Sequence, residues 1–407
     1  MRISNLLPIA RRLRGTRLVA IATAGVMLAG CDFTVTNPGP LLDEDLNTPS
    51  AIPALVNGMG GDLSNAIGNY LTRGSLAAFE LRHSGNFAAE RQFATGVIRP
   101  EDVNGDWARL QQARWVAENG LVRMKQVLGT GFETNPNTTR AYLYAGFANR
   151  FLGENVCETV IDGGPKVASS EHFVRAESLF TRALTLARAQ NNAALTNAAL
   201  AGRAQVLAWQ GKWAAAVTDA ALVPATFRHN AVFSTNTTRE NNDLATQTIT
   251  RREVTVWNTV WVSSPDPRTP YDTVRTGTTI TRGQDGTTNF FRQRRYLTLG
   301  DPVALARGTE MLLLRAEAAL RSNDVPGALT LINQGRATVS LPAATATTAD
   351  AAWTLLKRER GAVLWLEGRR LWDLRRWLAE NRDDTLRGRS TCIPISLEEM
   401  GANPNLR

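Results

Sequence analysis

The sequence predicts a mainly α-helical protein: helical hairpins forming one right-handed repeat body, with an inserted loop-rich lobe containing short β-strands. Three observations predict it. Apolar residues recur at helical spacing along most of the chain, two distant stretches echo each other as hairpins, and one Thr-, Asn-, Arg- and Gly-rich segment breaks the pattern.

The first helical stretch spans Thr48 to Val127, with loops expected at the Gly/Asn-rich Gly58–Asn69 and at Arg99–Asp106. Within it Trp107, Leu110, Ala113, Val116, Leu121, Met124 and Val127 form one apolar stripe, with Asn104 and Asp106 as N-cap candidates. Thr138–Leu152 reads as a helix stopped by Gly153. Glu171–Ala189 and Ala193–Gln210 read as a pair joined by Gln190-Asn191-Asn192.

The echo is the stronger signal. Gly202-Arg203-Ala204, a break at Gly211-Lys212-Trp213, then Ala216-Val217 aligns with Leu314-Arg315-Ala316, Asn323-Asp324-Val325, then Ala328-Leu329. Small residues let a neighbouring helix approach, and the break turns the chain back. That is a tetratricopeptide-like hairpin, and Tyr142–Gly153 is a weaker copy. No strict 34-residue period exists, so the hairpins are separated by insertions. One insertion, Phe227–Thr298, holds the alternating Arg252–Val262 (REVTVWNTVWV), a strand pattern, flanked by the turn signals Asp285-Gly286 and Pro265-Asp266-Pro267. A long helix is expected over Ala351–Leu378, with Glu367, Arg370, Asp373 and Arg376 spaced for surface ion pairs.

Composition excludes several classes. With 43% hydrophobic and 20% charged residues the chain is neither a disordered tail nor a disulfide scaffold. The net charge of +9 suggests nucleic acid at first sight. Yet Arg2, Arg11, Arg12, Arg14 and Arg17 sit in the first thirty residues, which contain no Asp or Glu. Setting those five aside leaves +4, with no basic run carrying interleaved aromatics. Nucleic acid is not an expected partner.

Those thirty residues have the order of an export signal. Arg11–Arg17 is basic, Leu18–Leu28 is an apolar run too short to span a bilayer, and Leu28-Ala29-Gly30-Cys31 follows. The tetrad resembles a bacterial lipobox, which implies that residues 1–30 are removed and Cys31 is lipidated. Residues 31–47 then form a tether before a domain spanning 48–407, with 227–298 as its inserted lobe. In an exported protein the remaining Cys157 and Cys392 most simply form one disulfide, the alternative being two buried thiols.

Catalytic constellations are absent from the sequence. His83, His172 and His229 are far apart and lack the i, i+4 partner of a metal helix, and no phosphate loop or nucleophile elbow occurs. Glu359, Glu367 and Asp373 lie among arginines, which lowers a carboxylate pKa and suits no general acid. Trp365, Trp372 and Trp377 read as packing residues. No enzyme activity, cofactor or metal is expected.

The last hundred residues carry the most specific pattern. Glu310-Met311-Leu312-Leu313 with Ala316-Glu317-Ala318, Glu359-Arg360, Glu367-Gly368-Arg369-Arg370-Leu371-Trp372-Asp373-Leu374-Arg375-Arg376, Ile393-Pro394-Ile395 and Asn403-Pro404-Asn405-Leu406 occur in that order. With the lipobox, Asp266-Pro267-Arg268 and Gly163-Gly164-Pro165, this set resembles the SusD-like (RagB) family of nutrient-uptake lipoproteins. The resemblance implies a non-enzymatic outer-membrane lipoprotein facing the cell exterior. It would capture an oligosaccharide or other nutrient and act as a lid on a SusC-like TonB-dependent transporter. A helical-repeat, protein-binding scaffold without a small ligand is the alternative. Ligand residues do not transfer by motif; by position and ring chemistry the candidates are Phe87, Phe93, Trp257, Trp261, Tyr271, Phe290 and Phe291.

Overall fold

The computed structural model describes residues 43–407, so the leader, Cys31 and most of the tether lie outside the described residues. A 3₁₀ turn, Asp43–Asn47, precedes the main unit, Asn47–Arg407. That unit holds helices α1 (Ile52–Ala77), α2 (Ala88–Thr95), α3 (Asn104–Leu128), α4 (Pro136–Asn155), α5 (Glu171–Ala189), α6 (Ala193–Trp209) and α7 (Trp213–Ala221). The short α8 (Asp243–Ala245) and α9 (Val260–Ser263) follow, then α10 (Gly308–Arg321), α11 (Val325–Ala337), α12 (Ala349–Val363), α13 (Arg370–Ala379) and α14 (Leu397–Ala402). The strands are β1 (Arg82–His83), β2 (Glu158–Val160), β3 (Lys166–Ala168), β4 (Arg228–Ala231), β5 (Val254–Thr255), β6 (Tyr271–Thr273), β7 (Arg275–Thr276), β8 (Thr279–Ile280), β9 (Phe291–Gln293) and β10 (Val303–Arg307). The chain is mainly helical, with its strands in two-stranded antiparallel pairs.

The helices stack serially, α3 on α4, α4 on α5, α5 on α6, α6 on α7, and α7 on α10 across the intervening lobe. One stop device recurs at their ends. Asn191, Gly211, Asn323, Ser340 and Asn381 all take positive φ. The next N–H reaches back five residues: Asn192 to the Ala187 carbonyl (2.9 Å), Lys212 to Leu207 (2.9 Å), Asp324 to Ala319 (2.8 Å). These bonds satisfy terminal carbonyls and reverse the chain. Asn192 and Asp324 then cap the following helices through Leu195 N and Gly327 N. The echo is thus a repeated hairpin, with Ala204, Ala216, Ala316 and Ala328 buried at its seams.

Several expected breaks are helix interiors instead. Gly58–Asn69 lies inside α1, and Gly153 inside α4, which runs on to Asn155. Packing explains the glycines. A Cβ on Gly60 would stand 2.9 Å from the Tyr144 ring, and one on Gly153 2.5 Å from the Phe173 ring. Phe180 likewise lies against Gly146 of α4 and Gly202 of α6, where a Cβ would come within 2.7 and 2.5 Å. Ring-into-glycine packing offsets the ~1 kcal/mol that each glycine costs a helix. Neither Asn104 nor Asp106 caps α3: Val103 holds that position, and Asp106 is buried against Arg73 at 2.5 Å.

The expected strand over Arg252–Val262 shortens to β5. Asn258 takes φ +59°, and Thr259 Oγ1 donates to the Val256 carbonyl (2.8 Å), turning the chain into α9. The expected Ala351–Leu378 helix divides into α12 and α13, because Leu366 and Gly368 adopt positive φ between them.

The tail closes back on the early chain. Ile393 bridges Val156 in parallel, its N–H donating to the Asn155 carbonyl and its carbonyl accepting from Cys157 N, both at 2.8 Å. The adjoining Cys157–Cys392 disulfide has its Cα atoms 5.1 Å apart. Asn403 and Asn405 donate side-chain bonds to the carbonyls of Gly164 (3.0 Å) and Gly163 (2.7 Å). The two most distant sequence signatures are therefore one contact.

Candidate functional site

Most signature charges are structural. Arg369 donates to Glu154 and Glu310, each at 3.0 Å. Arg360 and Arg376 both bind Asp373, at 2.8 and 2.9 Å, and Arg376 also binds Glu317. Glu367 does not pair with Arg370; it receives Arg295 and Arg307 from the other side of the chain. The expected Asp373–Arg376 pair forms, but these side chains are almost wholly buried and their other partners are internal, long-range ones. Burial alone would raise the Asp373 pKa, but Arg360 and Arg376 outweigh it and hold the carboxylate below its ordinary range. Trp365 and Trp377 are buried, and Trp372 packs on Phe173 and Trp209.

The histidines are buried packing groups too. His172 stands between Thr159 Oγ1 (2.9 Å) and Asn149 Oδ1 (2.8 Å), and desolvation, then Arg114, pushes its pKa down to about 3. His229 stacks on Phe147, and burial, then Arg150, lowers it to about 4.

The ring candidates separate sharply. Phe93, Trp261 and Phe290 are core residues; Arg358 and Arg370 lie over the Trp261 ring. Phe87, Trp257, Tyr271 and Phe291 are only partly buried. Backbone pairing draws these four toward one part of the lobe. β1 pairs with β5, setting Arg82 opposite Thr255 and His83 opposite Val254. The close approach requires Gly85, where a Cβ would fall 1.7 Å from Glu253 Oε2. Asn86 N donates to that same oxygen at 2.9 Å, fixing the approach to Phe87. Thr255 Oγ1 then accepts from Trp257 N (3.1 Å) and Phe291 N (2.8 Å).

β6 pairs with β9, Thr273 opposite Phe291, and the Tyr271 and Phe291 rings lie parallel, 4° apart in plane with centroids 5.6 Å apart. Along these strands Asp272, Arg292 and Arg294 point to the face opposite the Tyr271 and Phe291 rings. The Arg251 guanidinium sits 4.5 Å over Phe87, and Arg292 and Arg294 converge on Asp272 at 3.1 and 2.9 Å. His83 of β1 has its pKa lowered by burial and then by Arg91. A flat, partly exposed ring pair can take a polar ligand with one apolar face.

Trp115 on α3 was invisible to the sequence reading, since it lies between residues of an ordinary core stripe. It is 51% exposed and stands between two adjoining hollows of about 510 and 480 Å³, which share Arg114, Trp115 and Asp162. Val122, 56% exposed, lies on the same wall. Only an exposure pattern could have found it. Among the described residues no helix is long and apolar enough to cross a membrane.

Comparison with known proteins agrees with the signature. The SusD family profile matches residues 226–405. A SusD superfamily protein from Bacteroides thetaiotaomicron shares the fold at TM-score 0.69 and 15% identity, over 88% of this chain and 98% of its own. One from Bacteroides vulgatus does so at TM-score 0.64 and 14% identity, over 88% and 97%. A laminarin-binding SusD-like protein does so at 0.63 and 14%, over 87% and 97%. No curated protein sequence matches.

Proposed function

We propose that the chain, a SusD-family protein by sequence over residues 226–405 and by fold over most of its length, is the lipid-anchored binding subunit of a nutrient-uptake complex. In this reading it faces the cell exterior from the outer membrane, anchored through Cys31. It captures an oligosaccharide and delivers it to a SusC-like TonB-dependent barrel. Residues 48–407 act as one domain, with 227–298 as the ligand-bearing insertion. The observation that supports the site is the parallel, partly exposed Tyr271–Phe291 pair in the lobe. A planar ring matches the C–H face of a pyranose. The laminarin-binding relative supports a glycan as the ligand class. No catalytic step is assigned: the buried carboxylates are held by arginines, away from this face.

Two experiments test the reading. Affinity electrophoresis of the purified chain in laminarin and in a panel of neutral polysaccharides is expected to show retardation that Tyr271→Ala abolishes. No retardation in any of them counts against a glycan ligand. Pull-down from detergent-extracted membranes is expected to recover a β-barrel transporter; its absence overturns the importer role.

The second reading, a protein-binding helical scaffold, is favoured by Trp115. A half-exposed indole with Val122 beside a hollow is the composition of an interface anchor. Trp115→Ala separates the two readings: in the scaffold it abolishes protein capture, and in the importer it leaves glycan retardation unchanged.

A further inference from the structure

A further cavity, of about 290 Å³, lies where the signature segments meet the lobe. Arg268, Arg295 and Arg307 line it together with Thr309 and Thr338. Its charge is unbalanced. Arg268 is bound by Asp266 at 2.8 Å and Glu359 at 2.6 Å, and Arg336 shares Glu359. Arg295 and Arg307, however, both converge on a single oxygen, Glu367 Oε1. Four guanidiniums, Arg268, Arg295, Arg307 and Arg336, therefore face three carboxylates, Asp266, Glu359 and Glu367, and the group keeps a surplus of one positive charge in a partly enclosed space. Surplus charge with little access to water is costly unless an anion arrives.

The backbone adds to it. α10 starts at Gly308, whose N–H donates to the Phe227 carbonyl (2.8 Å), with Glu310 in the same first turn; Thr309 of that turn lines the cavity, so only the remaining first-turn N–H groups of the helix add to its positive character. The opposite wall is the last turn of α11. Its Gly335 and Arg336 carbonyls are already bonded to Thr338 Oγ1 (2.7 Å) and Val339 N (3.2 Å), which reduces the competing negative end.

We infer that this cavity binds a small oxyanion, held by Arg268, Arg295 and Arg307 at the amino end of α10. Guanidinium forks match the paired oxygens of carboxylate, phosphate or sulfate. Such a group exists free in solution or as the acidic substituent of a sugar acid, and the site recognises the chemistry common to both. The inference does not depend on the glycan reading of the lobe.

Thermal unfolding of the full mature chain tests it, with sodium phosphate, galacturonate, galactose and NaCl as additives at matched ionic strength. A saturable rise in Tm with phosphate or galacturonate, and none with galactose or NaCl, is expected. Phosphate acting more strongly than galacturonate identifies a free anion as the source; the reverse identifies a sugar acid. Thr338→Glu puts a carboxylate on the exposed rim and is expected to weaken the apparent affinity at least tenfold. Val339→Glu, on the same rim, provides a second variant should the first fail to fold. No rise in the wild type, or an equal rise in a folded variant, overturns the site.

Discussion

The carboxy-terminal signature and the inserted lobe are built on opposite principles. From Asp301 onward, charged residues point inward: Glu310, Glu317, Glu359, Glu367, Arg369 and Asp373 are nearly inaccessible and bind partners up to 215 positions away. In Phe227–Thr298 the strands are two to four residues long, and rings and arginines such as Tyr271, Phe291 and Arg294 keep part of their surface in water. The strongly patterned region holds the fold, while the weakly patterned one carries the face proposed for the ligand. A motif rich in Glu, Arg and Trp is thus evidence of internal stitching, and specificity has to be sought where the pattern is thin.

Removing a buried ionic partner is the most severe test of this contrast. Asp373→Ala leaves Arg360 and Arg376 without their shared carboxylate. A loss of about 3–5 kcal/mol is expected in urea unfolding. A loss below about 1 kcal/mol would mean that the signature charges are dispensable to the fold. Next is the Cys157–Cys392 bond, which ties the tail to the start of β2 across a separation of 235 residues. Cys392→Ser is expected to cost about 4 kcal/mol, the upper part of the usual range, measured against the wild type under non-reducing conditions.

Glu80 gives a pH-dependent version of the same test. Its carboxyl is buried between the Leu366 N–H (3.0 Å) and the Ser75 hydroxyl (3.3 Å), and desolvation raises its pKa to about 7 from 4.5. A raised folded-state pKa stabilises fully below 4.5, and that contribution is lost as pH rises through 7. Glu80→Gln is therefore expected to gain on the order of 3 kcal/mol relative to wild type between pH 4 and pH 8. A flat difference would refute the burial effect. His172 acts with the opposite sign: its depressed pKa contributes stability above 6.5 that disappears as pH falls toward 3.

How much was legible follows from the same contrast. The echo of Gly211 and Asn323 was readable because positive-φ stops require particular residues. The tail signature was recognisable, but its meaning was not. That Asn403 and Asn405 clasp Gly163–Gly164 is a tertiary contact without local spacing. Gly58–Asn69 misled because glycine serves both as a breaker and as a seat for a neighbour's ring, and only Tyr144 decides which. Ring identity selects seven candidates, five of them in the lobe, but does not sort Phe93, Trp261 and Phe290 into the core. The half-exposed Trp115 shares the helical spacing of buried residues and left no trace at all.

The smallest expected stability effect is the most informative about function. Tyr271 and Phe291 are half-buried, stack on each other across a short strand pair and pack at the margin of the core, so truncating either removes less apolar area than truncating a fully buried ring. Tyr271→Ala should cost about 1 kcal/mol of stability, well below the cost of a core aromatic. The same change removes the face on which a sugar ring would rest, and a loss of at least tenfold in glycan affinity is expected, about 1.4 kcal/mol. Measured together by urea unfolding and affinity electrophoresis, the two numbers sharpen the contrast between regions. Asp373→Ala should lose stability with ligand affinity retained in whatever fraction stays folded. Tyr271→Ala should lose affinity with the fold intact. If Tyr271→Ala instead destabilises as strongly as Asp373→Ala, the lobe is part of the structural core and its rings are no ligand platform.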